Sequence, residues 1–209
     1  ADGGLYAELV QNRDFEYSPK DNAHQGFDSG YAWSVWENGQ SSAVKVSTEN
    51  PLHENNPHYV VLQAKPGMAF RNSGFDGITL KKGEKYDFSV FSRMPEGSKG
   101  GKVIVRLLDN EGKEVAKSSV RVASGKWKKQ SAVLTAQTDV DEAVLSVEPE
   151  VTGELHLDMV SLFPQETFKG RKNGLRADLA QTLADLHQRF VRFPGGCVAH
   201  GNGIDNIYR

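Results

Sequence analysis

The chain has 209 residues, with 25 Lys and Arg against 27 Asp and Glu for a formal charge of −2. That length allows one large domain, or one mid-sized domain plus part of another. A near-neutral, slightly acidic surface lacks the basic excess that a phosphate backbone demands, which argues against nucleic acid as a partner. A single cysteine excludes an internal disulfide framework and any multi-cysteine metal site. No apolar run approaches the roughly 18 residues of a membrane-spanning helix, so no membrane partner is expected.

The chain opens at Ala1 with no initiator Met, charged leader or apolar signal core, and it stops at Tyr208-Arg209 just after a Gly-rich turn. It is therefore expected to be a piece of a longer protein, from which any export signal was removed or in which it was never included. Within residues 1–12, Leu5 and Leu9 stand at i and i+4, and this spacing predicts a short helix with one apolar stripe. Glu8 on that helix reads as a surface or capping residue.

Residues 13–164 form a series of short alternating runs. Tyr86, Phe88 and Val90 share one face against Asp87 and Ser89; Leu155, Leu157 and Met159 share another; residues 43–47 and 102–107 alternate in the same way. Lys81-Lys82-Gly83, Asp109-Asn110-Glu111-Gly112, Ser124-Gly125 and Thr152-Gly153 are turn signals between such runs. Period-2 strands spaced by turns predict a mainly β fold, an antiparallel two-sheet sandwich of jelly-roll type without a helix of useful length.

The period changes in residues 165–209. After the polar stretch Phe168-Lys169-Gly170-Arg171-Lys172-Asn173-Gly174 come Leu175, Leu179, Leu183 and Leu186, whose spacings of four, four and three draw one stripe on a helix ending near His187. Phe190, Val191 and Phe193 then lead into Pro194-Gly195-Gly196, which makes one helix-to-strand step of an α/β fold. A single step cannot form a parallel sheet, because each strand there needs neighbours on both sides. Arg192-Phe193-Pro194-Gly195-Gly196-Cys197 is the most specific local motif. Arg192 at a strand end can offer a fork of donors to sugar hydroxyls or a carboxylate, or it is simply a solvated charge before an ordinary glycine turn.

Several segments resemble a known family. Ala1-Asp2-Gly3-Gly4-Leu5-Tyr6-Ala7-Glu8-Leu9-Val10-Gln11-Asn12-Arg13 is similar to the segment after the first barrel strand of glycoside hydrolase family 51 α-L-arabinofuranosidases. Asn173-Gly174-Leu175-Arg176-Ala177-Asp178-Leu179 and the motif from Arg192 to Gly196 resemble the next helix and strand of the same (β/α)8 barrel. The sandwich between them resembles carbohydrate-binding modules of the family 4 and 9 type, on the strength of Asn72-Ser73-Gly74-Phe75-Asp76-Gly77-Ile78 and Leu157-Asp158-Met159-Val160-Ser161-Leu162-Phe163. The organisation implied is a barrel-derived segment at 1–12, an inserted module at 13–164 and the start of an incomplete barrel at 165–209.

The resemblance implies the N-terminal part of a bacterial retaining glycosidase that releases terminal α-L-arabinofuranosyl residues from arabinose-containing plant glycans. It implies an extracytoplasmic location, and a sandwich packed against the rest of the barrel. Family members use two glutamates about 5 Å apart across the sugar, with no catalytic cofactor. Both come from later barrel strands, so no catalytic residue is expected in this chain. Arg192 matches the family's arginine near the substrate, and Cys197 stands where many members have an asparagine, a weak thiol in place of an amide.

Within the sandwich, Trp33 and Trp36 are candidate sugar platforms, since a flat sugar face can lie on an aromatic ring. Three residues apart, they face opposite sides of a strand, so at most one serves a given face; the alternative is that both are core plugs. Trp127 is equally able to cover a sheet edge. Glu16 and Asp158 sit where similar modules place hard oxygen ligands, so they are candidate ligands of a structural calcium ion or else two ordinary surface acids. The histidines show no H-x-x-x-H spacing, which argues against zinc. Two other readings of the sandwich stay open: a sugar-binding domain in its own right, or a spacer packed on the barrel.

Overall fold

The computed structural model describes residues 4–20 and 26–190. Among these, the strands are β1 (Trp33–Glu37), β2 (Gln40–Ser42), β3 (Lys45–Ser47), β4 (Tyr59–Ala64), β5 (Met68–Asn72) and β6 (Ile78–Leu80), then β7 (Lys85–Arg93), β8 (Gly101–Leu108), β9 (Glu114–Val122), β10 (Lys128–Thr135), β11 (Val140–Pro149) and β12 (Gly153–Pro164). A single α-helix, α1 (Ala177–Asp185), follows a 3-10 turn at Phe168–Gly170.

Alternation in the sequence becomes strand wherever one face is buried. In β7, Tyr86, Phe88, Val90 and Ser92 point inward, while Asp87, Ser89, Phe91 and Arg93 stand on the other face. One sheet runs β2-β1-β5-β11-β8-β9, with β6 also paired to β11, and the other runs β10-β7-β12-β4-β3. The strand pairs are antiparallel throughout. Phe70, Leu107 and Leu145 from the first sheet meet Leu62, Phe88, Leu157 and Leu162 from the second in one core cluster. This is the jelly-roll sandwich that the pattern of runs and turns predicts. Gly77, at φ 104°, sits where a Cβ would come within 2.9 Å of the Glu142 Cα, so only glycine lets β6 approach β11 this closely.

Residues 4–12 form no helix, contrary to the Leu5–Leu9 spacing. Two leucines one turn apart supply too little to nucleate a helix, and β12 offers an alternative. β4 pairs with β12 only as far as Leu157 opposite Val60. Beyond that point the first segment takes over this side of β12: the Leu9 N–H donates to the Leu162 carbonyl at 3.0 Å, and the Val160 N–H donates to the Arg13 carbonyl at 2.9 Å. The same segment also meets the stretch that leaves the sandwich. Tyr6 and Leu175 form an antiparallel bridge, flanked by Ala7 N–H to Gly174 carbonyl at 3.2 Å and Arg176 N–H to Leu5 carbonyl at 2.9 Å.

The second predicted helix is present as α1, with His187 just beyond it in the left-handed region at φ 49°. Its leucine stripe turns away from the sandwich: Leu179 and Leu183 are 38% and 45% exposed, and Ala180 is the helix residue that is buried.

Candidate functional site

β1 settles the two tryptophans by parity. Trp33 points inward, its ring stacked on Phe70 with centroids 4.2 Å apart and planes within 10°, and its Nε1–H donating to the Asn12 carbonyl at 2.9 Å. Phe15 packs beside it at 5.5 Å. At 6% exposure Trp33 has no ring face to offer a sugar, so the structure corrects its place among the platform candidates: it is a core plug.

Trp36 stands on the opposite face. The register places it beside two small side chains, Ser41 of β2 and Ala69 of β5. Its Nε1–H donates to Ser34 Oγ at 2.8 Å, and the Arg71 guanidinium lies over the ring at 4.9 Å from the centroid. Arg71 pairs with Ser34 on one side and Ser146 on the other. Sequence reading misses Arg71 because its nearness to Trp36 comes from the β1–β5 register. Its position opposite the inward Phe70 in the alternation of β5 was the available signal.

The outer face of the second sheet holds a closed aromatic network. Trp127 meets Tyr59 edge-on at 5.3 Å, and the Arg93 guanidinium lies 4.5 Å from the Trp127 centroid. Arg93 donates to His156 Nδ1 at 2.9 Å, to the Tyr59 hydroxyl and to the Glu49 carbonyl. Since Nδ1 accepts, the proton of a neutral His156 is on Nε2, which faces Glu154 Oε1 at 2.7 Å. Burial first, then the Arg93 charge, holds His156 below the ordinary imidazole range, against the pull of Glu154. Through its Nε and Nη2 donors Arg93 latches the segment after β3 onto the sheet.

Glu8 is neither exposed nor a helix cap, as the first-segment helix would have had it. It is 7% exposed and lies against β12. A β-bulge there, with Met159 at φ 49°, turns Asp158 and Ser161 towards the first segment. Ser161 Oγ donates to Glu8 Oε2 at 2.5 Å, and the Leu162 N–H donates to Glu8 Oε1 at 2.8 Å.

The same bulge brings Glu16 and Asp158 into one electrostatic neighbourhood. Asp158 is fully buried; its Oδ1 accepts the Met159 N–H at 2.6 Å, and Asn56 Nδ2 approaches Oδ2 at 3.5 Å. Burial pushes its carboxyl up to about 7, the Asp14 and Glu16 charges push the same way, and Arg13 opposes them. Burial likewise raises Asp14. Glu16 spends both oxygens on His58, accepting its backbone N–H at 2.8 Å and meeting Nδ1 at 2.7 Å. Among the described residues no three His, Cys, Asp or Glu side chains are grouped closely enough to hold a metal. The charge distribution nonetheless fits a hard cation: a desolvated carboxylate beside two like charges is relieved by a divalent ion, with backbone carbonyls completing its shell. Arg192 and Cys197 lie outside the described residues.

A cleft of about 410 Å³ runs along the seam between the first segment, the β6–β7 turn and the start of α1, lined among others by Tyr6, Phe75, Lys81, Tyr86 and Arg176. No helix among the described residues is long and apolar enough to cross a membrane.

Residues 7–153 match the family described as carbohydrate binding domain, of the 4 and 9 type. Over 207 residues the chain is 40% identical to an extracellular exo-α-L-arabinofuranosidase of Streptomyces chartreusis, covering 99% of this chain and 23% of that protein. It is 31% identical over 221 residues to α-L-arabinofuranosidase 1 of Arabidopsis thaliana, covering 99% of this chain and 31% of that protein. A solved structure of an arabinose-bound glycoside hydrolase family 51 α-L-arabinofuranosidase superposes with TM-score 0.79 at 32% identity, covering 95% of this chain and 33% of that one. The chain thus spans about a quarter to a third of the length of these relatives.

Proposed function

The chain belongs to the carbohydrate-binding domain family, and from that premise we propose that it serves as the N-terminal part of a retaining α-L-arabinofuranosidase acting on arabinose-containing glycans outside the cytoplasm. The observation that carries this reading is the 40% identity to the Streptomyces enzyme over 99% of the chain, which continues through both flanks of the sandwich. The two catalytic glutamates of such an enzyme lie outside this chain, and the exposed leucines of α1 face the remainder of the barrel. Arg192 and Cys197 border the substrate in that arrangement. An aryl α-L-arabinofuranoside tests the reading: the full-length protein hydrolyses it and the 209-residue chain does not. Turnover by the chain contradicts the placing of the glutamates, and an inert full-length protein contradicts the activity.

Within the sandwich, Trp36 is the sugar platform, a half-buried ring between the small side chains of Ser41 and Ala69. Calorimetric titration of the chain with arabinan, arabinoxylan and xylan oligosaccharides gives heat with at least one of them. Trp36→Ala weakens that binding at least about tenfold, ~1.4 kcal/mol, in a chain that still unfolds cooperatively. No heat at millimolar ligand overturns the platform and leaves the sandwich a spacer.

A calcium ion held by Asp158 with Glu16 would tie the first segment to β12. Bound to the folded chain at ten times its Kd, it stabilises by about 1.4 kcal/mol, a rise of roughly 3–6 °C in Tm for a chain of this size. The midpoint in millimolar calcium and in excess EDTA measures this. An identical midpoint in both removes the ion from the account.

A further inference from the structure

The two guanidinium networks on the sandwich differ in what they leave unspent. Arg93 has all its partners within the protein. Arg71 has the Trp36 ring beneath it and no hydrogen bond or ion pair among the described residues, and its Nε is buried without an acceptor. A buried donor left unmade is costly, and native chains keep few of them. The acids that could have answered it are engaged elsewhere. Glu148, next outward-facing residue after Ser146 on β11, accepts from Ser146 Oγ at 2.8 Å and gives its other oxygen to Arg106. Arg106 in turn holds Glu114 at 2.7 Å. Arg106 is thus neutralised by its acids, whereas Arg71, partly buried on the same sheet face, is not.

What surrounds Arg71 narrows the class of ligand. Its cross-strand neighbours are Ser34, whose hydroxyl is only partly buried, and Ser146, which is fully buried with its proton given to Glu148, while exposed Ser41 flanks the Trp36 ring. Ser34 Oγ accepts from the Trp36 indole and keeps its own proton to donate. The terminal nitrogens of Arg71, fixed in a planar fork on the indole, suit an oxyanion with two coplanar oxygens. An aromatic ring, small hydroxyls and an uncommitted guanidinium on one flat face together match a sugar that bears a carboxylate.

We infer that the Trp36–Arg71 face binds a uronic acid residue of a glycan, its carboxylate taken by Arg71 and its ring set against Trp36. This rests on the reading of Trp36 as a platform and adds the charge of the ligand. Because Arg71 is only partly buried, the electrostatic part of the binding weakens in salt.

The test pairs an oligosaccharide carrying one glucuronate branch with its carboxyl-reduced counterpart, both titrated calorimetrically into the 209-residue chain. The acidic ligand is expected to bind at least about tenfold more tightly, and half-molar salt should remove most of that preference. Arg71→Gln should bind the two ligands alike, with the acidic-over-neutral preference lost. Equal affinity of the unaltered chain for the pair overturns the inference and leaves the platform standing. Binding of neither overturns both. A preference that survives in folded Arg71→Gln, or that ignores salt, overturns the assignment to Arg71. Should Arg71→Gln fail to fold, the ligand pair and the salt series on the unaltered chain still decide.

Discussion

Replacing Glu8 with alanine is expected to lower the unfolding free energy by about 3 kcal/mol, which for a chain of this size is a fall of roughly 6–12 °C in Tm. One carboxylate serves four donors. Oε1 accepts the N–H groups of Leu162 at 2.8 Å and Val10 at 3.2 Å; Oε2 accepts Ser161 Oγ at 2.5 Å and pairs with Arg13 Nη1 at 3.1 Å. Burial raises the Glu8 pKa, and the hydrogen bonds from Ser161, Leu162, Val10 and Arg13 pull it back. Removing the acid strands these donors in a site where water has little access, and it unfastens the first segment from β12. Glu8→Gln keeps the volume but turns an amide N–H₂ towards one pair of donors, so it should fall between alanine and the unaltered chain. Glu166→Ala serves as an exposed control. Urea denaturation measures the series, and a Glu8→Ala chain within 1 kcal/mol of the parent would remove Glu8 as the fastening.

The second large effect is a stability that depends on pH through Asp158. In the folded, calcium-free chain this carboxyl keeps its proton up to about pH 7, whereas its ordinary value is 3.8. Between those two values the folded state binds more protons than the unfolded one. Its contribution is therefore fully present below pH 4, shrinks as pH rises, and levels off above 7, with up to about 4 kcal/mol lost. Glu8 and Asp14, raised by burial, act with the same sign. His156, held below the ordinary imidazole range, acts with the opposite sign, costing stability on the acid side. In EDTA, Asp158→Asn should be the more stable protein at pH 8 and should lose its advantage at pH 4.5. Calcium at pH 8 should recover the parent and leave the variant unmoved. Urea midpoints at both pH values decide: a variant no more stable than its parent at pH 8 in EDTA shows that the buried carboxyl carries no such strain.

The sandwich was legible because its information is local. A strand with one buried face writes period 2 into the chain, and β7 keeps that period across all nine residues. The α1 stripe was legible for the same reason at period 3.6. The first segment was misread because two leucines at helical spacing carry little information, and its fate was decided by a vacant ladder on β12, some 150 positions away. Glu8 followed from that error, since its partners Ser161 and Leu162 come from the far end of the chain. Parity separated Trp33 from Trp36 correctly. Which of them faced the core depended on Phe15, Phe70 and the sheet register, and so did the meeting of Arg71 with Trp36.

The bridge between Tyr6 and Leu175 has a topological meaning. Strands paired in this way lie only about 5 Å apart, so the roughly 170 residues from Tyr6 to Leu175 begin and end at nearly one point. In the enzyme proposed above, the barrel would meet the whole sandwich as it would a tight hairpin loop. Because Glu8 and the Leu9–Leu162 hydrogen bond fasten one of these flanks to β12, cutting the sandwich out at this point would release that flank as well.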